Sequence, residues 1–185
     1  NNGGEAILTS NKHKSGTDRI YEAIQKLEKK NVDLVINLQG DEPLIDIDDI
    51  KNLHRNMIKT KSKMGTLASV ISNKNLYAEK SVVKVKTKQS LEQSKFPEAI
   101  NFMRKIDGNI ENIYHHLGVY CYNFETLKKL ISLSQSQNEV KNKLEQLRAL
   151  DNNIKINVAL ANYSPIGVDT MEDYVAIKKI MEYKS

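Results

Sequence analysis

Two carboxylates follow a strand-like run in the stretch VINLQGDEPLI, residues 35–45. The apolar residues at 34–36 and Leu38 predict a strand that is covered on both faces, a pattern typical of parallel sheets. Gly40 and then Pro43 interrupt the run, since proline cannot continue a sheet ladder. In open parallel sheets, ligands bind beyond the carboxyl ends of the strands. Asp41 and Glu42 are therefore predicted to lie at the mouth of a site.

A third carboxylate, Asp169, stands in a similar context in the stretch GVDT, beside a glycine and before a predicted helix. Two carboxylates from different strand-to-helix connections suit Mg²⁺, which takes one or two carboxylates and leaves its other positions to water and phosphate oxygens. The alternative is that Asp169 only helps to start the last helix. Neighbouring side chains of an extended segment point opposite ways, so we expect Asp41 rather than Glu42 to bind the ion.

Polar residues at the start of the first predicted helix form a second candidate site. Ser15, Gly16, Thr17 and Asp18 offer donors that can contact a base or a phosphate at a helix N-terminus. Plain capping of the helix explains the same residues equally well, because serine followed by an acidic residue three positions later resembles a capping box. Both readings stay open at this point.

Two histidines, His115 and His116, are neighbours in one segment of the chain. We expect them to face opposite sides, so that they do not both enter one site. The sequence shows no zinc-like spacing of ligands and no Ser-His-Asp order.

Elements that would position these residues alternate between helix and strand. The predicted helices are 15–30, 46–58, 124–133, 142–150 and 167–183, and the predicted strands are 6–9, 34–38, 66–71, 81–87, 117–122 and 154–160, with 99–105 as a short additional strand. Such alternation predicts an α/β fold with a mainly parallel sheet flanked by helices. The length of 185 residues indicates a single domain over 1–185.

Composition excludes several classes of function. The net charge is +5, but the lysines are scattered along helices rather than clustered, so we expect no nucleic-acid binding. No apolar stretch approaches the ~20 residues that span a bilayer, and we expect no membrane insertion. The single Cys121 excludes an intramolecular disulfide framework and indicates the cytoplasm; we expect it to be a small buried residue.

Five ordered blocks make the pattern specific: SGTDRIYEA, VINLQGDEPLI, HLGVYCY, LEQLRAL and GVDTMEDY. Together they resemble the cytidylyltransferases that activate 3-deoxy-D-manno-octulosonate (KDO) for lipopolysaccharide synthesis. The resemblance implies a Rossmann-like fold of the nucleotide-diphospho-sugar-transferase kind, Mg²⁺ as cofactor, and a cytoplasmic homodimer. It also implies that the anomeric hydroxyl of the sugar attacks the α-phosphorus of CTP and that pyrophosphate leaves.

The resemblance also assigns roles to residues of this chain. Asp41 and Asp169 match the magnesium carboxylates and are the catalytic pair. Ser15, Gly16, Thr17 and Asp18 fall in the nucleotide loop. The residues that match the sugar site are Gln39, Arg104, His116, Tyr120, Glu145 and Gln146. Arg104 would meet the carboxylate of the sugar acid, for which a guanidinium fork is well suited.

Departures from the family pattern lead to further expectations. The family opens with a strand and a loop whose two arginines and one lysine hold the triphosphate, and we expect this unit to be missing before the stretch NNGGEAILTS. We therefore expect little turnover by the chain as given. Residues 86–110 match poorly, His115 stands where arginine is common, and 88–115 is a candidate dimerisation or sugar-site excursion. Two alternatives remain, a CMP-sialic acid synthetase-like enzyme and a non-catalytic remnant; LEQLRAL argues against the first.

Overall fold

The computed structural model describes residues 4–13, 15–28, 31–164, 167–168 and 170–184. A six-stranded sheet flanked by helices forms the centre of this part of the chain. The elements are, in chain order, α1 (Gly16–Lys26), β1 (Leu34–Asn37), α2 (Ile47–Thr60), β2 (Met64–Ser69), a 3₁₀ turn (Lys74–Tyr77), β3 (Lys84–Thr87), β4 (Ala99–Met103), β5 (Ile113–Asn123), α3 (Phe124–Ser132), α4 (Gln137–Asn142), α5 (Leu147–Asp151), β6 (Ile156–Leu160) and α6 (Met171–Lys184).

The α/β class is confirmed, but the sheet is mixed and not mainly parallel. β2 and β6 run parallel, whereas β5 is antiparallel to β1, β2 and β3, and β3 is antiparallel to β4. The reason lies in the connections, because no helix separates β3 from β4 or β4 from β5. Parallel neighbours need a long crossover, usually a helix, whereas short connections join antiparallel strands.

Two strand predictions near the start of the chain were wrong in part. β1 occupies the predicted place, but within the described ranges it pairs with β5 alone, and Ile36 is 37% exposed rather than covered. Residues 6–9 form no strand. Side chains of α1 hold this segment instead: Lys26 Nζ donates to the carbonyl of Leu8 at 2.9 Å, and Glu22 accepts from the backbone N–H of Ser10 at 3.0 Å.

The long strand β5 organises the sheet. One of its edges pairs with β2, while β1 and β3 share the other edge, β1 beside residues 120–123 and β3 beside residues 113–115. A bulge interrupts the pairing with β2, since Thr66 lies opposite Tyr120 but Leu67 lies opposite Leu117. One step along β2 thus spans three steps along β5, which places the bulge in the middle of β5.

Helix boundaries follow local capping signals. Ser15 caps α1 by accepting from the N–H of Asp18, and Asp46 caps α2. Leu53 and Met57 of α2 are buried against the sheet, whereas Ile47 in its first turn is 66% exposed.

The predicted helix 142–150 is divided into two elements. α4 ends at Asn142, because the next residue, Lys143, has a left-handed φ of 53° that stops the helix, and α5 begins after Gln146. Glu145 and Gln146 therefore lie in a turn between two short helices and not on a helix face.

Two apolar clusters cover the sheet. One of them lies between α2 and the sheet and includes Leu53, Met57 and Leu117. It also contains Cys121, which is fully buried as predicted. Burial raises the pKa of the Cys121 thiol to about 11. Within the described ranges, none of the helices is long and apolar enough to cross a membrane.

Candidate active site

A pocket of about 490 Å³ lies where β1 ends and β3 begins along their shared edge of β5. Its lining includes residues of β5 that alternate toward one face: His116, Gly118, Tyr120 and Tyr122. A Cβ atom added at Gly118 would meet nothing within 4 Å, so the glycine leaves the middle of this face open. The break between two short strands thus creates a cavity over the bulge of β5.

Aromatic rings line one side of the pocket. His116 and Tyr120 have ring centroids 5.4 Å apart, and Tyr120 stacks on Tyr122 at 5.8 Å. Phe102 of β4 contacts His116 edge-on at 5.0 Å. These contacts fix the orientation of the rings, because packed aromatic side chains have few alternative rotamers at such distances.

Two buried polar atoms in this pocket lack a hydrogen-bond partner among the described residues, the hydroxyl of Tyr120 and Oε1 of Glu145. Buried polar groups in folded proteins are nearly always paired, so such atoms indicate a place where a ligand is contacted. Burial raises the pKa of both groups, since it disfavours the charged form of each. For Glu145, the hydroxyls of Thr17 and Ser15 and the charge of Arg148 act in the opposite direction.

The hydrogen bonds of Thr66 determine the tautomer of His116. Thr66 Oγ1 donates its single hydrogen to the carbonyl of Val119 at 2.7 Å, and His116 Nε2 lies 3.0 Å from Thr66 Oγ1. Nε2 therefore carries a hydrogen and donates it to Thr66, which leaves Nδ1 as an acceptor. Burial lowers the pKa of His116 to about 3, and His115 adds to this shift, so the ring is neutral near pH 7.

The turn after β1 brings Gln39 and Asp41 to the pocket. Gln39 Nε2 donates to Asn37 Oδ1 at 2.8 Å, which holds the amide at the end of the strand. Asp41 and Glu42 both line the pocket, and residues 40–41 form a turn rather than an extended segment; the choice of Asp41 over Glu42 as ion ligand stays a prediction. The neighbour of Asp169, Val168, donates its N–H to the carbonyl of Asp41 at 2.8 Å. Asp169 itself lies outside the described residues.

The start of α1 borders the same cavity. Thr17 is buried and lines the pocket, whereas Ser15 lines an adjoining pocket of about 360 Å³. Ser15 also makes the capping contacts, with the N–H of Asp18 donating to its hydroxyl at 3.2 Å. The capping reading of the SGTD stretch is thus confirmed, and a nucleotide-binding role for Ser15, Gly16, Thr17 and Asp18 stays a prediction.

Arg104 lies at the rim of the pocket at the end of β4. Its Nη1 donates to the carbonyls of Lys80 and Ser81 at 3.2 and 3.1 Å, and Nη2 reaches the carbonyl of Lys143 at 3.5 Å. The guanidinium thus connects the loop before β3 with the turn after α4. Its proposed contact with a sugar carboxylate has to be made with the remaining N–H groups, Nε–H and one of Nη2.

His115 also borders the pocket, so the expectation that the two histidines cannot enter one site was wrong. Neighbouring side chains of a strand do point to opposite faces of the sheet. The pocket, however, lies at an edge of β5 between β1 and β3, and it extends to both faces there. His115 Nδ1 lies 2.5 Å from Ser164 Oγ. Burial lowers its pKa, and the charge of Lys84 acts in the same direction.

The structure adds residues that sequence reasoning did not single out. Thr66 fixes His116, Asn37 holds Gln39, and Lys143 lies at the pocket rim beside Glu145. A polar residue inside an apolar strand, such as threonine in TLASVI, was the one signal that pointed to Thr66.

Comparison with known proteins agrees with this architecture. A family model described as cytidylyltransferase matches residues 1–156. The 3-deoxy-manno-octulosonate cytidylyltransferase of Thermodesulfovibrio yellowstonii is 42% identical over 189 residues, which cover 97% of this chain and 74% of that protein. The enzyme of the same name from Bartonella henselae is 36% identical over 184 residues, with the same coverage of each chain.

Solved structures give the same result. The structure of a CMP:2-keto-3-deoxy-manno-octonic acid synthetase complexed with CTP matches with a TM-score of 0.85 at 32% identity, covering 99% of this chain and 74% of that one. An apo UDP-glucose pyrophosphorylase matches with a TM-score of 0.67 at 12% identity, covering 94% and 62%, and shows a shared fold alone. This chain belongs to the 3-deoxy-manno-octulosonate cytidylyltransferase family.

Proposed function

We propose that the chain transfers CMP from CTP to 3-deoxy-D-manno-octulosonate and releases pyrophosphate. The observation that carries the proposal is a pair of buried atoms without a hydrogen-bond partner in the described part of the chain, the Tyr120 hydroxyl and Glu145 Oε1, in a polar pocket of a chain that belongs to this family. A ligand with many hydroxyl groups supplies both donors and acceptors, so it satisfies the two atoms together.

The sugar acid occupies the part of the pocket above β5 in this proposal. Nδ1 of neutral His116 accepts a hydrogen from one sugar hydroxyl, while Glu145 accepts from another. Gln146 and Gln39 contribute amide groups, which donate and accept. Arg104 and Lys143 at the rim provide positive charge near the carboxylate of the sugar acid.

In this proposal the nucleotide binds next to Thr17, beside the sugar. Thr17 lines the same pocket as Tyr120 and Glu145, and the N-terminus of α1 favours negative charge. The anomeric oxygen forms a bond to the α-phosphorus, the bond from phosphorus to the α,β-bridging oxygen breaks, and the hydroxyl proton goes to solvent. Positioning and charge neutralisation account for most catalysis of such displacements.

The carboxylates of this site suit magnesium. No group of three or more His, Cys, Asp or Glu residues within the described ranges converges as a metal cage, and Mg²⁺ needs just one or two carboxylates. Asp41 lines the pocket, and we propose that it holds Mg²⁺ together with Asp169. When bound, the ion neutralises charge on the phosphate oxygens.

Calorimetry with the two substrates tests the proposal. We expect saturable binding of 3-deoxy-D-manno-octulosonate in the presence of CTP without Mg²⁺, so that no turnover occurs during the titration, with N-acetylneuraminate at least tenfold weaker. Pyrophosphate release measures turnover. Turnover is measured with the chain alone and with the chain fused behind the N-terminal segment of a relative, and in each form that turns over Asp41→Asn should reduce it by about 10³-fold or more, as loss of a charge-neutralising group does in phosphoryl transfer.

Asp48→Asn is the matched control for Asp41→Asn, because Asp48 is an exposed carboxylate on α2 outside the pocket. The proposal fails if the octulosonate does not bind saturably. It also fails in its choice of sugar if N-acetylneuraminate binds as tightly.

We also propose that the chain forms a homodimer to which 88–115 contributes. This segment contains β4, whose one strand neighbour in the described part of the sheet is β3, and Ile100 on β4 is 54% exposed. An edge strand with an exposed apolar side chain favours pairing with another chain. Sedimentation at micromolar concentration should give twice the mass of the chain, and Ile100→Lys should weaken the dimer; a monomeric wild type contradicts the proposal.

A further inference from the structure

A buried ion pair closes the segment that carries Glu145 and Gln146. Glu139 of α4 and Arg148 of α5 have side chains that are 5% and 4% exposed. Arg148 Nε donates to Glu139 Oε2 at 2.8 Å, and Nη2 donates to Oε1 at 2.5 Å. Two parallel hydrogen bonds between a guanidinium and a carboxylate fix their relative orientation as well as their distance.

The ion pair is also fixed to the start of α4. The N–H of Ser136 donates to Glu139 Oε2 at 3.1 Å, and Gln135 Nε2 donates to Oε1 at 3.2 Å. Burial alone would raise the pKa of Glu139, but the hydrogen bonds from Arg148, Gln135 and Ser136 outweigh it and lower the pKa. Both partners are therefore charged near pH 7.

Each partner of the pair additionally holds the backbone of the turn between the helices. The N–H of Leu144 donates to the carbonyl of Glu139 at 3.2 Å, and the N–H of Arg148 donates to the carbonyl of Glu145 at 3.0 Å. The turn is thus fastened at both of its ends by the same two residues. Neither Glu139 nor Arg148 lines the 490 Å³ pocket, whereas Glu145 and Gln146 both do.

We infer that Glu139 and Arg148 are positioning residues for the sugar site, whose ion pair holds Glu145 and Gln146 in the orientation that contacts the sugar acid. The inference rests on the proposed function for the identity of the ligand. A stabilising role alone is a poor explanation of the pair, because replacing a buried ion pair with uncharged residues is often neutral or stabilising. Orientation of the turn is what the uncharged replacement would lose.

The double variant Glu139→Gln with Arg148→Met separates orientation from stability. Glutamine keeps the capping box with Ser136, and no charge is left buried without a partner. We expect a melting temperature within about 3 °C of wild type, at least tenfold weaker binding of the octulosonate by calorimetry, and at least tenfold faster hydrogen exchange at the Leu144 amide. The single variant Arg148→Lys keeps the positive charge but loses the two parallel hydrogen bonds of the guanidinium. We expect it to bind the octulosonate as weakly as the double variant does.

A destabilised control distinguishes loss of fold from loss of orientation. Leu53→Ala removes core packing beneath α2, away from the pocket, and should lower the melting temperature without changing the octulosonate affinity. Sugar affinity that follows melting temperature across all these variants would overturn the inference, as would unchanged affinity in the double variant.

Hydrogen exchange keeps the test independent of the ligand. Unchanged exchange at Leu144 in the double variant overturns the inference whatever the sugar does. A wild-type chain that binds no octulosonate contradicts the proposed function instead, and the exchange rates then still decide whether the ion pair fixes the turn.

Discussion

The hydroxyl oxygen of Thr66 and Nε2 of His116 lie 3.0 Å apart in the interior, where burial keeps the imidazole neutral. The pKa of His116 is about 3 in the fold against an ordinary value of 6.5. Between these values the unfolded chain binds the proton and the folded chain does not. The stabilising contribution is complete above pH 6.5 and is lost as the pH falls toward 3.

This depressed pKa predicts a specific pH dependence of stability. The share of His116 in the free energy of unfolding should fall by about 2 kcal/mol between pH 7.5 and pH 5. Urea unfolding at both pH values measures the free energy of unfolding. In His116→Gln its decrease between pH 7.5 and pH 5 should be smaller by this amount. His54→Gln, at an exposed position on α2, is the control. An identical slope in wild type and His116→Gln would refute the buried neutral ring.

Tyr120→Phe should separate binding from stability. The buried hydroxyl lacks a partner among the described residues, so its removal should leave stability unchanged or raise it by about 1 kcal/mol. Octulosonate affinity should fall at least tenfold, as measured by calorimetry.

Tyr114→Phe is the matched control for Tyr120→Phe. The Tyr114 hydroxyl accepts from the N–H of Leu91 at 3.0 Å and donates to Glu92 at 2.8 Å. Its loss should lower stability by about 1 kcal/mol or more and leave sugar binding unchanged. If both variants lose stability equally, the Tyr120 hydroxyl is satisfied within the protein and is not a ligand contact.

Glu145→Gln should stabilise the chain at pH 7, because burial raises the pKa of this carboxyl and the charged form is disfavoured in the fold. A raised folded pKa means that stability is greatest below the ordinary carboxyl pKa and decreases as the pH rises. The gain should therefore vanish near pH 4, while octulosonate affinity falls about tenfold or more at pH 7. Glu111→Gln, at an exposed position, should change neither quantity. A loss of stability at pH 7 would contradict this reading.

Arg104→Lys should impair the site despite keeping the charge. Arginine donates to the carbonyls of Lys80 and Ser81 through Nη1 and to that of Lys143 through Nη2, whereas lysine offers a single compact donor group. We expect faster hydrogen exchange in the loop before β3 and about tenfold weaker octulosonate binding. Arg55→Lys, on the exposed side of α2, is the control. Full activity of Arg104→Lys would show that charge alone is required.

Local signals allowed correct predictions where partners are close in sequence. The capping contact between Ser15 and Asp18 joins residues three positions apart, so the sequence contains both partners. The end of α4 gave no such signal, because Lys143, and not glycine, adopts the left-handed conformation there.

Strand direction and pocket membership depend on distant parts of the chain. An apolar run such as residues 34–37 is equally consistent with parallel and antiparallel neighbours, and its pairing with β5 is decided by packing. The family resemblance, rather than composition, indicated that Gln39, Arg104 and Glu145 belong to one site, and the structure places all three around one pocket. The contacts of Arg104 with the carbonyls of Lys80, Ser81 and Lys143 could not be predicted, because these partners lie 24, 23 and 39 residues away in the chain.

The bulge of β5 has a consequence for parity. β5 has two extra residues, Gly118 and Val119, where β2 steps from Thr66 to Leu67. Because the number of extra residues is even, side chains of β5 on either side of the bulge still point to the same faces of the sheet. His116 and Tyr120 therefore remain on the same side of the sheet as Thr66. Deleting one residue, Gly118 or Val119, would turn half of the strand over and send the histidine and the tyrosine to opposite sides. Deleting both would preserve the phase while straightening the strand, so the odd deletion is the more damaging change although it removes less.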